Sequence, residues 1–427
     1  MAYDQDTTRQ RQVRRRSRHH KQQKRQHQNR HFLVSMLLVL AILATAGGGT
    51  ILLRQQLTPS DDPSPTVSTA PTSPVTGKED TVIHLAFGGD LNITDNTVAA
   101  GQKGDGYDYT DVFRDVAPVL AGADAAVLNF EGNLCGAPYG GENTRAPQAL
   151  AQALNSAGVD FLQTANSCSI NNGMLGLGST INGIRDAGME ALGTYPDQAA
   201  ASAGKGFSLY NIRGVKVAFV AFSKHVGSMA LPAAGKDCVN LLYTDYTSTY
   251  QKVDTAGITQ VLKNVEKEAP DITIALLHWG SEHNSQISAS QTEIVALMQE
   301  NGVDAIIGTH SHYVQTIEFD KEAGTVVAYS LGDFLGDADK AGTNYSLILN
   351  LEITKSGSTG QAKITNLSYT PIFIATPEND GVARIQIMGI DAAMAHYEAN
   401  GVGRVSESTY NAMKSAKSKI ESRVTVK

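Results

Sequence analysis

The residues best suited to chemistry are His310 and His312, two apart in Gly308-Thr309-His310-Ser311-His312. They follow Val303-Asp304-Ala305-Ile306-Ile307, a short apolar run that reads as a buried strand. Imidazole is a common ligand for zinc, iron and similar ions. If the strand continues, the two side chains share a face; if the chain turns, Gly308 can supply the turn. A second strand-end histidine is His278, in Leu276-Leu277-His278-Trp279-Gly280-Ser281-Glu282. One histidine at a strand end is most often simply hydrogen-bonded. Two such ends in one chain favour a metal or catalytic cluster.

Other polar residues occupy the same kind of position. Asp90 follows the apolar residues 82–87 and Gly88-Gly89, Glu131 closes residues 125–130, and Asn166 follows residues 161–165. In open α/β sheets the loops at strand ends build the site. Asp90, Glu131, Asn166, His278, His310 and His312 therefore make a mixed oxygen and nitrogen set for one or two metal ions. Such ions clamp a phosphate-like group and lower the pKa of bound water toward about 7. Taken singly, Asp90 or Glu131 is as easily a loop cap or a solvated carboxylate; the joint pattern is what raises them.

The elements that must position these residues alternate from residue 81 onward. Strands are expected at 82–87, 125–130, 161–164, 207–212, 215–222, 272–277, 303–307, 314–319, 325–330, 345–353 and 362–369. Helices are expected at 111–120, 147–157, 179–187, 256–268 and 407–422, and Ser288-Ala289-Ser290-Gln291 is a capping box that opens another. The first part reads as α/β and the later part adds antiparallel strands, an α/β (α+β) chain.

Charge divides the 427 residues sharply. Residues 1–31 carry ten basic residues against Asp4 and Asp6, whereas 24 basic and 40 acidic residues from 55 onward leave a net charge of −16. Between them, residues 32–53 hold no charge, and as a helix would span roughly 33 Å, enough to cross a bilayer. The basic tail then lies in the cytoplasm and the body outside the cell. A cleaved signal peptide ending near Ala44-Thr45-Ala46 is the rival reading, but the apolar character resumes at residues 50–53 and favours an uncleaved anchor. The tail suits anionic lipid headgroups rather than nucleic acid. Residues 54–80, rich in Ser, Thr and Pro, read as an extended linker. Cys135, Cys168 and Cys238 have no regular spacing and form no disulfide framework, although one pair remains open.

In order, Gly89-Asp90, Asn129-Phe130-Glu131, Ala165-Asn166, His278-Trp279-Gly280-Ser281-Glu282, Gly308-Thr309-His310-Ser311-His312 and Tyr329-Ser330-Leu331-Gly332-Asp333-Phe334 resemble the CapA/PgsA family. Those are membrane-anchored proteins of poly-γ-glutamate capsule synthesis. The resemblance covers roughly residues 81–370 and implies a calcineurin-like metallophosphatase fold, a two-sheet sandwich flanked by helices. The expected organisation is a cytoplasmic tail (1–31), an anchor (32–53), a linker (54–80), the domain (81–375) and an extension packed on it (376–427); the anchor and outward-facing body, read above from charge and composition, are also what the resemblance implies. The resemblance implies metal ligands at Asp90, Glu131, His278, His310 and His312, with Glu282, Asn92 and Asp333 in support.

This chain also departs from the family pattern. The family's Ala-Asn-Asn-His, followed three positions later by Asp, reads here Ala165-Asn166-Ser167-Cys168-Ser169-Ile170-Asn171. By similarity a ligand, a catalytic acid or anion-stabilising histidine and its partner are replaced by Ser167, Cys168 and Asn171. Losing a positioned acid or base typically costs about 10²–10⁴ in rate. Asn92 stands where many metallophosphatases have histidine, and Asp333 where the family more usually has asparagine. The expected function is synthesis, export or tethering of an anionic capsule polymer, with divalent ions such as Mn, Zn or Fe, the lipid bilayer and membrane-embedded synthesis or export proteins as partners. A metal-dependent hydrolase of phosphoesters or polymer amides is the alternative, and a metal-free structural surface protein the third.

Overall fold

Period-two alternation along the strands sets the architecture. The computed structural model describes residues 79–227, 229–400 and 405–427. The expected tail, anchor and nearly all of the linker lie outside the described residues. Among the described residues no helix is long and apolar enough to cross a membrane.

In chain order the strands are β1 (Thr81–Asn92), β2 (Gln102–Lys103), β3 (Gly106–Tyr107), β4 (Ala125–Glu131), β5 (Phe161–Gln163), β6 (Glu190–Leu192), β7 (Phe207–Ile212) and β8 (Val215–Ser223). They continue with β9 (Ile272–His278), β10 (Ala305–Thr309), β11 (Ile317–Asp320), β12 (Thr325–Ala328), β13 (Asp333–Leu335), β14 (Tyr345–Lys355), β15 (Ala362–Ala375), β16 (Gln386–Gly389) and β17 (Val424–Val426). One sheet runs β16-β15-β14-β1-β4-β5-β6, with β13 also pairing β1. The other runs β17-β11-β12-β10-β9-β8-β7.

The two sheets share one core. Ile83, Leu85 and Phe87 of β1 and Leu347, Leu349 and Leu351 of β14 cluster with Val217 and Phe219 of β8, Ile274 and Leu276 of β9, and Ile307 of β10. The intervening residues face outward. Ala86, Ala126 and Leu128 meet Leu150 and Leu154 of the helix Gln148–Ser156. Ala218, Val220, Ala275 and Ile306 meet Ile258 and Leu262 of Thr255–Lys267 and Ile294 and Met298 of Ala289–Glu300. The result is a two-sheet sandwich flanked by helices. Each fully buried aliphatic side chain stabilises it by about 1.5–3 kcal/mol.

Local signals placed most elements, and the exceptions have physical causes. The Ser288 capping box opens its helix as expected, with Gln291 returning to the Ser288 backbone. The single helix expected at 111–120 is two short pieces, Thr110–Phe113 and Ala117–Leu120; Pro118 suits only the first turn of the second. The helix expected at 179–187 begins at Gly173. The last 50 residues hold more than the helix Glu407–Glu421: β16 pairs with β15, β17 pairs with β11, and Ile390–Asn400 is a further helix. All three cysteines are free.

One irregularity decides where Asp90 points. Counting by twos from Phe87 sends Asp90 to the outer face. Instead Phe87 pairs with Val127 and Asp90 with Asn129, so Gly88 and Gly89 lie opposite the single residue Leu128. This bulge reverses the parity. Asp90 turns inward, and Leu91 joins the outer cluster. The Asp90 backbone N–H donates to the Gly332 carbonyl at 3.0 Å, and a β-carbon at Gly89 would collide with that oxygen. Gly89→Ala should therefore destabilise the protein by roughly 2–3 kcal/mol, read as a lower urea midpoint. An unchanged midpoint would mean that β1 and β13 separate without cost.

Candidate metal centre

Asp90 lies at the middle of the site, its carboxylate fully buried at 0% exposure. Its Oδ1 accepts from Asn129 Nδ2 at 2.6 Å, and its Oδ2 from the His310 backbone N–H at 3.0 Å. Two sets of donor atoms meet at this residue: Asp90, Glu131 and His278, and Asp90, His312 and Asp333. Within each set the atoms lie within 4.8 Å of one another. Asp90 belongs to both.

Each donor arrives at a strand end. Asn129 and Glu131 come from the end of β4, in register with Asp90 and Asn92. His278 ends β9 opposite Thr309 of β10, and its Nδ1 lies 3.1 Å from the Thr309 hydroxyl and 3.9 Å from Glu131 Oε1. Asp333 opens β13 directly beside Asp90. After β10 the chain turns, but at the histidines rather than at Gly308. His310 and His312 hold φ of +90° and +60°, a region costing L-residues on the order of 1–3 kcal/mol each. Gly308 stays in the strand and is glycine for another reason. A β-carbon there would meet the Tyr329 carbonyl, which accepts from the buried Trp279 indole at 2.8 Å.

Electrostatics separate the histidines into two kinds. Burial opposes charge on His312, but the 2.8 Å hydrogen bond and charge of Asp333, with Glu131 and Asp90, carry it up to about 10. Burial pushes Asp333 up to about 6 despite that partner. Burial and the neighbouring Asp90 charge push Glu131 well above the usual carboxylate range, and burial raises Asp90 as well. His278 and His310, whose ring centres lie 4.4 Å apart, go the other way. Burial first, then positive neighbours, holds both well below the usual imidazole value. They are therefore neutral, the form that coordinates a metal.

The residues present fit a divalent cation. His278 Nε2, His310 Nδ1 and His283 Nδ1 are buried with no hydrogen-bond partner. Such orphaned nitrogens are rare in folded proteins and call for an explanation. A cation would use lone pairs of this kind and offset the charge of three crowded, buried carboxylates.

The remaining residues expected at the site take other positions. Asn92 donates to Asp333 Oδ1 at 2.8 Å. Asn166 is spent on the scaffold: its Nδ2 donates to Asn129 Oδ1 at 3.0 Å and to the Phe130 carbonyl at 2.8 Å, while its Oδ1 accepts from the Cys168 N–H. The Ser167 hydroxyl donates to Glu131 Oε2 at 2.8 Å, and the Cys168 sulfur lies 3.9 Å from the same oxygen. Burial, then the Glu131 charge, pushes the Cys168 thiol up to about 12, so it stays protonated. Asn171 donates to the Thr144 hydroxyl. Glu282 is exposed and makes no hydrogen bond to a histidine among the described residues. Sequence reasoning passed over His225 and His283, whose rings lie 5.4 Å from His310 and 5.0 Å from His312. His225 follows an apolar strand just as His278 does, so the same strand-end signal pointed to it.

Comparison with known proteins adds family context. The family model described as bacterial capsule synthesis protein PGA_cap matches residues 84–338. The chain is 25% identical to the PGA biosynthesis protein CapA of Bacillus subtilis, over 72% of this chain and 76% of that one. It is also 25% identical to the capsule biosynthesis protein CapA of Bacillus anthracis, over 59% and 60%. A solved structure, the calcineurin-like phosphoesterase YfkN from Bacillus subtilis, aligns at 15% identity with a TM-score of 0.42, covering 80% of this chain and 98% of that one.

The shared carboxylate makes a stoichiometric prediction. The full-length protein should carry divalent metal by elemental mass spectrometry. Asp90→Ala touches both donor sets and should lose all of it, whereas His278→Ala and Asp333→Ala should each lose only part. Equal metal in Asp90→Ala and the parent would rule out the shared centre.

Proposed function

The chain belongs to the bacterial capsule synthesis protein PGA_cap family, and from that premise we propose a membrane-anchored, extracellular protein that handles an anionic capsule polymer at a divalent-metal centre. Its relatives are named for capsule and PGA biosynthesis, which supports the capsule-related role. The finer reading is that residues 32–53 cross the bilayer once with the basic tail in the cytoplasm. The body then works beside membrane-embedded synthesis or export proteins on a polymer such as poly-γ-glutamate.

The observation that carries the site reading is the sharing of Asp90 between two donor sets, one fully buried and the other buried except for a partly exposed His312. Asp90, Glu131 and His278 would hold one ion, and Asp90, Asp333 and His312 the other once His312 releases the proton that Asp333 stabilises, with His310 adjoining. A divalent ion bound there, Mn, Zn or Fe, supplies localised positive charge and Lewis acidity. The body's net charge of −16 repels a polyanion at long range, so recognition has to be local and cationic.

The test is polymer binding by the full-length protein in lipid vesicles loaded with metal. Poly-γ-glutamate should bind, and Asp90→Ala should weaken it by about tenfold or more. Undiminished binding by Asp90→Ala would sink the metal-centred reading.

A metal-dependent hydrolase is the second reading, favoured by the unpartnered His278 and His310 nitrogens. The Ser167, Cys168 and Asn171 loop weighs against it, since a protonated Cys168 and a scaffold-bound Asn171 supply no general base. If the centre is otherwise competent, the triple change Ser167→Asn, Cys168→His, Asn171→Asp should raise phosphoesterase or amidase turnover by about 10² or more. Turnover in the parent already equal to that of the triple variant would instead favour the hydrolase.

A further inference from the structure

The centre has a second wall, built by residues without an assigned role. Strand β8 ends at Ser223 in register with His278, and Lys224 and His225 follow. The Lys224 backbone N–H donates to the His278 carbonyl at 2.7 Å, which holds the pair against the donor sets. The Lys224 ammonium donates to the Gly280 carbonyl at 2.6 Å and sits 4.6 Å over the Tyr250 ring. An ammonium has three N–H donors, so the carbonyl leaves others to face a ligand. Glu282 is the acidic side chain facing Lys224, and among the described residues it makes no ion pair with it.

His225 completes the wall. Its ring packs edge-on against His310 at 5.4 Å and lies 5.5 Å from Tyr250. Its Nδ1 accepts the Gly227 N–H at 3.2 Å, so in the neutral ring the proton is on Nε2. No described group accepts from that Nε2–H. Gly227 in turn approaches the Ser167 carbonyl and the Asn171 side chain, so the segment bridges the altered loop and the histidines. A fixed cation and a free N–H donor thus stand side by side, adjoining a group of three buried carboxylates that would otherwise repel an anion.

We propose that Lys224 and His225 form the oxyanion-reading wall of the centre, holding a carboxylate or phosphate group of the substrate beside the metal-binding residues, with Tyr250 as a rigid shelf beneath. This rests on the reading of the centre as a site for an anionic substrate. It adds which residues outside the ligand set recognise the anion.

The experiment uses the full-length, metal-loaded protein with two probes, inorganic phosphate and a γ-linked glutamate oligomer, followed by calorimetry. Metal content and thermal unfolding are measured on every variant. Lys224→Met should weaken binding of the preferred probe by about tenfold or more, His225→Gln by several-fold, and Lys224→Arg should restore most of the loss. Metal content should stay at the parent level throughout. The probe whose affinity falls identifies the group as carboxylate or phosphate. Parent-like binding in Lys224→Met with the metal retained overturns the wall and leaves the centre intact. So does binding of neither probe by the metal-loaded parent, or a loss that Lys224→Arg fails to restore. A parent that holds no metal yet binds a probe in a Lys224-dependent way overturns the centre and keeps the wall.

Discussion

A carboxylate fully buried between two sheets is the constraint on which this structure depends. An isolated ionised Asp90 in that place would cost many kcal/mol, so it must be hydrogen-bonded, paired or bound to a cation. The surrounding structure supplies those partners. Asn129 and the His310 N–H occupy both its oxygens, and His312 adds positive charge 3.8 Å away. The bulge at Gly88 and Gly89 turns Asp90 inward, and the left-handed His310 aims its N–H at Asp90 Oδ2. Strain at the histidines and tightness at Gly89 are the local costs of meeting that requirement.

The same crowding sorts the titratable groups by neighbour rather than by type. His312 gains a proton because Asp333 touches it, whereas His278 and His310 lose theirs because they are themselves buried and, second, because their neighbours are positive. One side of Asp90 therefore carries an ion pair and the other carries open imidazole nitrogens. The altered loop fits this division. Ser167 still supports Glu131 through its hydroxyl, so the carboxylate keeps its place, while Cys168 stays a protonated thiol. The support of Glu131 is kept in a loop that offers little acid–base capacity.

Much of the fold was readable because its signals are local. Apolar runs mark β8, β9, β10 and β14, and a capping box marks the helix from Ala289. The strands that escaped are short: β2 and β3 have two residues each, β6, β13 and β17 three, and β16 four. Such segments carry no periodicity of their own and become strands because a neighbour offers a ladder. The C-terminal segment shows the consequence, since β16 and β17 extend different sheets and bind residues far from them in sequence.

The sequence by itself determined the chemistry available. Carboxylates, amides and histidines placed after apolar runs declare strand-end ligands, because a short run long enough only for a strand must end at a loop. It also determined the charge split between tail and body. The tertiary structure decided which of those residues meet. Asp333 joins Asp90 through a parallel pairing over 243 positions, a one-residue bulge selects the face of Asp90, and Lys224 and His225 reach the site because β8 lies beside β9. Parity and pairing between distant segments are properties of the assembled sheets, set by the burial of both faces at once, and no local stretch encodes them.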